Sequence, residues 1–196
     1  MDTKARRGMF ELVTGPMFAG KTQLLLERLS AAEQLGKRVL AAKPTIDSRW
    51  PNEIVSHSGD RRAALSVHDG DELLELSEGH EIVGVDEAQF FDRRFADTIA
   101  ELRLSTNLVV AALDLDFRAE PFPLVPELIA RADIVHRLRA VCGSCGNSAT
   151  LTQRFVHDVP APYDDAVVRI GGEGLYAPRC RRCYGVEREA VTLRTA

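Results

Sequence analysis

The chain has 196 residues, of which 45% are hydrophobic and 28% charged, with a formal net charge of −4. That length holds one α/β core with a small appendage, and the charge balance gives no general attraction for nucleic acid or an anionic membrane. No apolar stretch approaches the ~20 residues that span a bilayer, and MDTKARRG at the N-terminus has no apolar run behind it. A cytoplasmic protein with no membrane and no nucleic-acid partner is expected.

In chain order, FELVT reads as a strand and TQLLLERLSAAEQLG as a helix ending at Gly36. RVLAAK is a second strand, followed by TIDSRWPNEIVSHSGDR, a long polar segment rich in turn formers. DELLEL reads as a short helix, EIVGVDEA as a buried strand and DRRFADTIAELRL as an amphipathic helix. NLVVAALD is a further buried strand, LVPELIARA a short helix, and DIVHRLRAV one strand running straight into the first cysteine pair. This alternation, with nearly continuous Val, Ile and Leu in the strands, predicts an α/β parallel sheet covered by helices on both faces. From Cys142 the character changes to Gly, Pro and polar residues, which divides the chain into a core, 1–140, and a tail, 141–196.

Residues 15–22, GPMFAGKT, fit the phosphate-binding pattern G-x-x-x-x-G-K-[ST] in its required place between strand and helix. Glycines let backbone N–H groups approach phosphate oxygens, and the helix adds its positive N-terminal end. Lys21 is expected to reach the β- and γ-phosphates of ATP, and the Thr22 hydroxyl to ligate Mg²⁺.

IVGVDEAQFF ends a buried strand on two adjacent carboxylates. Asp86 follows the apolar run directly and is assigned to the magnesium with Thr22. Glu87, turned away by strand alternation, is placed over an acceptor, as a base for an alcohol or an orienter of water. Asp92 reads as a plain acid opening the next helix.

The four cysteines form two C-x-x-C pairs, Cys142/Cys145 and Cys180/Cys183. Together they suit a tetrahedral zinc with four thiolates and no open position, hence a structural site. The intervening stretch, residues 146–179, carries three prolines and a GG-x-G, and a long clamped loop of this kind suits one edge of an acceptor pocket. The histidines, His57, His68, His80, His136 and His157, form no ligand cluster in the sequence.

Taken in order and spacing, GPMFAGKT, KPTIDSRW, SHSG, GVDEAQFF, AALDLDFRAEPF, AVCGSC and RIGGEGLYAPRCRRC resemble the type II, zinc-containing P-loop thymidine kinase family from about residue 8 to 186. The resemblance implies a RecA-like sheet plus a small zinc-ribbon-like subdomain carrying a substrate-covering loop, assembled as a homotetramer. It implies transfer of the ATP γ-phosphate to the thymidine 5′-hydroxyl in deoxynucleotide salvage for DNA synthesis, with dTTP as feedback inhibitor. Gly15, Pro16, Met17, Phe18, Ala19, Gly20, Lys21 and Thr22 would then bind the ATP phosphates, with Asp86 assisting Mg²⁺ and Glu87 as the general base. Asp47 and Arg49 would lie near the donor phosphates. Met17, Phe90, Leu113, Phe117 and Phe122 would surround the thymine, and Thr152 and Tyr176 would contact base and sugar. From spacing alone these aromatic positions read as ordinary core, and main-chain contacts to the ring are expected near residues 168–171.

Three positions depart from the family pattern. Ala19 stands where serine is frequent, Trp50 where tyrosine is common, and Arg169 beside the expected base contacts. Two other readings of the residues remain: a P-loop ATPase in which Glu87 activates water, and a nucleic-acid module built on the tail. From Ala140 onward, seven Arg or Lys against six Asp or Glu force no basic face on the latter.

Overall fold

FELVTG lays down the first strand, β1 (Phe10–Gly15), and KTQLLLERLSAAEQ the first helix, α1 (Lys21–Gln34), which buries Leu25, Leu26, Leu29 and Ala32 along one stripe. A computed structural model describes residues 7–169 and 174–186 of the chain. After α1 come β2 (Val39–Pro44), β3 (Glu53–Val55), β4 (Arg61–Ala63) and β5 (Leu65–Val67), then the short helix α2 (Gly70–Leu76). The strand β6 (Ile82–Val85) leads through a single 3-10 turn, Ala88–Phe90, into α3 (Phe95–Leu102), β7 (Asn107–Leu113), α4 (Val125–Arg131) and β8 (Ile134–Arg137).

Six of these strands make one sheet in the order β5-β2-β6-β7-β1-β8, with every neighbour parallel. Parallel strands need both faces covered, because the crossover helices lie against them. Strand alternation divides the core accordingly. Val13, Ala41, Val109 and Ala111 pack with Leu25 and Leu29 of α1 on one face. Leu12, Ala42, Val83, Val110 and Ala112 pack on the other with Leu73, Phe95, Ile99 and Leu128 from α2, α3 and α4. Because all six strands point the same way, the segments leaving β1, β2, β6 and β7 gather at one edge, where open α/β sheets bind ligands.

Beyond the sheet follow β9 (Ala140–Val141), β10 (Ser148–Ala149), β11 (Leu151–Val156), β12 (Val159–Pro160) and β13 (Tyr176–Arg179). The β9–β10 hairpin carries Cys142 and Cys145 at its turn, and β11 is the central strand of a three-stranded antiparallel sheet with β12 and β13.

The structure corrects three readings. DIVHRLRAV is two strands, β8 and β9: Leu138 N–H donates to the Thr14 carbonyl at 2.7 Å, and the chain then leaves the sheet. The polar segment after β2 contains an antiparallel hairpin, β3–β4, and the sheet has an edge strand, β5, that no run of apolar residues announces. Glu87 is separated from Asp86 by a left-handed turn (φ 53°, ψ 35°) and not by strand alternation, because β6 ends at Val85.

Candidate active site

The glycine-rich loop between β1 and α1 is held in an unusual backbone shape. Gly15, Phe18 and Gly20 all have positive φ, and Phe18 pays no glycine exemption for its 63°. Strain of this kind, on the order of 1–3 kcal/mol, persists where surrounding structure over-determines it and clusters at functional sites. Lys21 folds back to donate to the Pro16 carbonyl at 2.8 Å, and Met17 N–H donates to the Thr152 hydroxyl at 3.0 Å. Burial lowers the Lys21 ammonium's pKa from its usual value, although the charges of Glu87, Asp86 and Asp114 oppose the shift.

Asp86 leaves β6 beside this loop. Its Oδ2 accepts from Thr22 Oγ1 at 3.0 Å and its Oδ1 accepts the Glu87 N–H at 3.0 Å. Burial and the neighbouring Glu87 charge push this carboxyl up to about 7 against the Thr22 hydrogen bond. A buried carboxylate so poorly compensated, next to a threonine hydroxyl, suits a hard divalent cation such as Mg²⁺.

Glu87 is held from two sides. Arg49 Nη2 pairs with its Oε1, and Gln89 Nε2 donates to its Oε2 at 2.6 Å. Gln89 is itself buried and accepts the Leu113 N–H at 3.0 Å, tying the Glu87 carboxylate to the end of β7. Arg49 donates through Nε to Asp47 at 2.6 Å, and Asp47 pairs with buried Lys43 at 3.3 Å. Neither Lys43 nor Gln89 was marked by the sequence patterns. A charged residue inside an apolar strand, as in RVLAAKP, was the available signal for Lys43.

Lys21, Thr22, Arg49 and Glu87 face one cavity of about 690 Å³. Met17, Phe90, Leu113, Phe117, Phe122, Thr152 and Tyr176 line the same cavity, as do Phe18 and Gly20 of the loop. Phe90 and Phe122 meet edge to face at 6.2 Å. The volume lies within the range of small-molecule sites, and an apolar, aromatic wall with a few convergent polar groups is their usual lining. Asp86 touches this arrangement through Thr22. Gly15, Pro16 and Ala19 complete the loop without lining the cavity. Trp50 lines it, with the Arg61 guanidinium 4.6 Å from its ring centroid. Arg169 lines it as well, but Nη2 is bonded to Asp165 at 3.1 Å and the carbonyl accepts from Tyr176 Oη at 2.8 Å. Of the segment 168–171 expected near the base, Val168 and Arg169 are at the cavity and positions 170–171 lie outside the described residues.

The four cysteines converge. The Sγ atoms of Cys142, Cys145, Cys180 and Cys183 all lie within 4.8 Å of one another. Tetrahedral zinc with Zn–S of ~2.3 Å places its sulfurs roughly 3.8 Å apart, so the cluster fits that ion after small adjustment. The four are free thiols, and all four positions would be filled by protein.

The thymidine kinase family model matches residues 8–184. A curated relative, the thymidine kinase of Coprothermobacter proteolyticus, is 42% identical over 195 residues, covering 98% of each chain. The chain belongs to the thymidine kinase family. Phe18, Gly20, Lys21 and Thr22 of the loop, Glu87, and the rings of Phe90, Phe117 and Phe122 line one cavity. Among the described residues, no helix is long and apolar enough to cross a membrane.

Proposed function

We propose that this thymidine kinase family member transfers the γ-phosphate of ATP to the 5′-hydroxyl of thymidine, giving dTMP and ADP. The single observation that carries the reading is that Glu87 lines one cavity together with Lys21 and Thr22 and with Phe90, Phe117 and Phe122. The aromatic wall holds the pyrimidine by stacking and area burial. Thr152 and Tyr176 bound the base and sugar, and loop residues 15–22 cradle the donor phosphates through main-chain N–H groups.

Glu87 accepts the proton of the 5′-hydroxyl as that oxygen attacks the γ-phosphorus, and the bond to the β–γ bridging oxygen breaks to leave ADP. A positioned base of this kind contributes about 10²–10⁴ in rate. Lys21 and Arg49 place positive charge beside the transferring group, where it is worth most in a water-poor site. Thr22 and Asp86 would hold Mg²⁺, which supplies neutralisation of the β- and γ-oxygens when bound. The cysteine cluster would hold a structural zinc that keeps β9–β10 and the end of β13 together.

The wider reading is a cytoplasmic homotetramer serving deoxynucleotide salvage. The phosphate-loop core, 1–140, carries the donor site, and the cysteine-bearing part, 141–196, closes the acceptor site. A nucleoside triphosphate such as dTTP, with its base against the aromatic wall and its phosphates toward the loop, would span both subsites and inhibit. The test is ADP release from Mg-ATP with and without thymidine, with the phosphorylated product identified. Thymidine-dependent ADP and dTMP in equal amounts support the reading. Equal ADP with and without thymidine would establish an ATPase instead.

A further inference from the structure

Arg154 is the largest side chain with no solvent exposure in the described residues, and neither the phosphate loop nor the zinc cluster accounts for it. It projects from β11, whose pairing with β12 and β13 on either side fixes its backbone. Thr152, two residues earlier and so on the same face, accepts the Met17 N–H at 3.0 Å. One strand face therefore reaches both the phosphate loop and whatever Arg154 holds.

What Arg154 holds is two walls of the cavity. Its guanidinium lies 3.6 Å from the centroid of the Phe117 ring. Nη1 donates to the carbonyls of Ala166 at 2.5 Å and Val167 at 3.4 Å, and Nη2 pairs with Asp165 Oδ2 at 2.9 Å. The other Asp165 oxygen is taken by Arg169 Nη2 at 3.1 Å, and the Asp165 carboxylate accepts the Ala166 N–H at 2.8 Å. Phe117, Val167, Val168 and Arg169 all line the cavity. A planar guanidinium over an aromatic face, donating through Nη1 to two carbonyls and ion-paired through Nη2 with a carboxylate while Nε makes no hydrogen bond, uses a flat, delocalised charge that lysine lacks. A buried ion pair is weak support for stability, and what this one does supply is a fixed geometry between Phe117 and residues 165–167.

We propose that Arg154 is a positioning residue for the acceptor pocket: it locks Phe117 to residues 165–169, with Asp165 as the carboxylate shared between Arg154 and Arg169. The proposal rests on the thymidine reading of the cavity. It implies that the clamp sets how tightly the nucleoside is enclosed, while the phosphate loop is held to this strand by Thr152 and not by Arg154.

The deciding variant is Asp165→Asn in the full-length chain, because asparagine keeps the shape of this partly exposed carboxylate (side chain 18% exposed) while removing the charge paired with buried Arg154. The thymidine KM should rise about tenfold, equivalent to ~1.4 kcal/mol, with kcat and the ATP KM within about twofold of wild type. Asp165→Glu should recover much of the loss. Arg154→Lys, which keeps the charge but not the fork, should shift the thymidine KM in the same direction with unchanged zinc content. Trypsin cleavage after Arg169 in ligand-free protein should accelerate severalfold in Asp165→Asn. A thymidine KM unchanged in Asp165→Asn, or an equal rise in the KM of ATP, would overturn the proposal. A wild-type protein inactive on thymidine would refute the functional reading instead, and the cleavage rate would still decide whether the clamp holds the segment.

Discussion

Lys43 Nζ stands 3.3 Å from Asp47 Oδ2, with the two side chains only 1% and 7% exposed. The ammonium is also bonded to the Trp50 carbonyl at 2.6 Å. Through this buried pair the chain leaving β2 is pinned so that Asp47 can hold Arg49, and Arg49 can reach Glu87. A relay of three charged contacts thus runs from buried Lys43 to Glu87 in the cavity lining.

Removing one partner of a buried pair leaves the other uncompensated, at a cost of about 3–5 kcal/mol. Asp47→Asn should therefore lower unfolding stability at pH 7 by that order, measured by urea titration. The pH dependence has a definite sign. Burial by itself would raise the Asp47 carboxyl, but the Arg49 hydrogen bond and the Arg49 and Lys43 charges outweigh it and hold it below 3.8. Its contribution is therefore complete above the unfolded value and is lost as pH falls through the folded one. The gap between wild type and variant should be constant above about pH 5 and narrow below about pH 4.

Gly15 closes β1 at φ 140°, and a Cβ there would stand 2.5 Å from the Leu138 carbonyl oxygen. That neighbour is backbone and is fixed by the Leu138 N–H bond to Thr14, so it has no easy retreat. Gly15→Ala should displace the start of the phosphate loop and weaken ATP binding by at least about tenfold, roughly 1.4 kcal/mol. At Gly20 a Cβ meets open space and only the φ of 84° opposes it, so Gly20→Ala should cost less, about 1–2 kcal/mol of stability. Isothermal titration with an ATP analogue and thermal melts of both variants check the order.

Zinc removal should act on the acceptor side. The cysteine cluster joins the β9–β10 hairpin to the end of β13, and β13 pairs with β11, which carries Thr152 and Arg154. The expected outcome is one zinc per chain by metal analysis. Cys180→Ser should lose it, lower the melting temperature and raise the thymidine KM more than the ATP KM.

Much of this was legible in the residues, and the exceptions share a cause. The phosphate loop, β6 and β7 were readable because each is a continuous pattern whose partners follow from the pattern itself. The edge strand β5 was not, because Leu65 is 41% exposed and only pairing with β2 makes the segment a strand. The burial of Lys43 and Arg154 was not readable either, since it depends on Asp47 and Asp165, acids that local patterning cannot match to them. Nor does strand alternation anticipate the left-handed Glu87, which departs from its strand at the one place where the carboxylate must turn toward the cavity. The cluster of Phe90, Phe117 and Phe122 was ambiguous for a simpler reason: the same rings serve as core on one side and cavity wall on the other.

The role of Glu87 as the base is tested by comparing wild type with Glu87→Gln in one assay, following ADP release from saturating Mg-ATP with and without thymidine. The variant keeps the shape at that position while removing the basic oxygen and one of the two acceptors that Arg49 and Gln89 use. Thymidine-dependent turnover is expected in the wild type and should fall by about 10²-fold or more in kcat in the variant, with the thymidine KM little changed. Thymidine-dependent turnover that survives the substitution intact would contradict the assignment of Glu87 as the base.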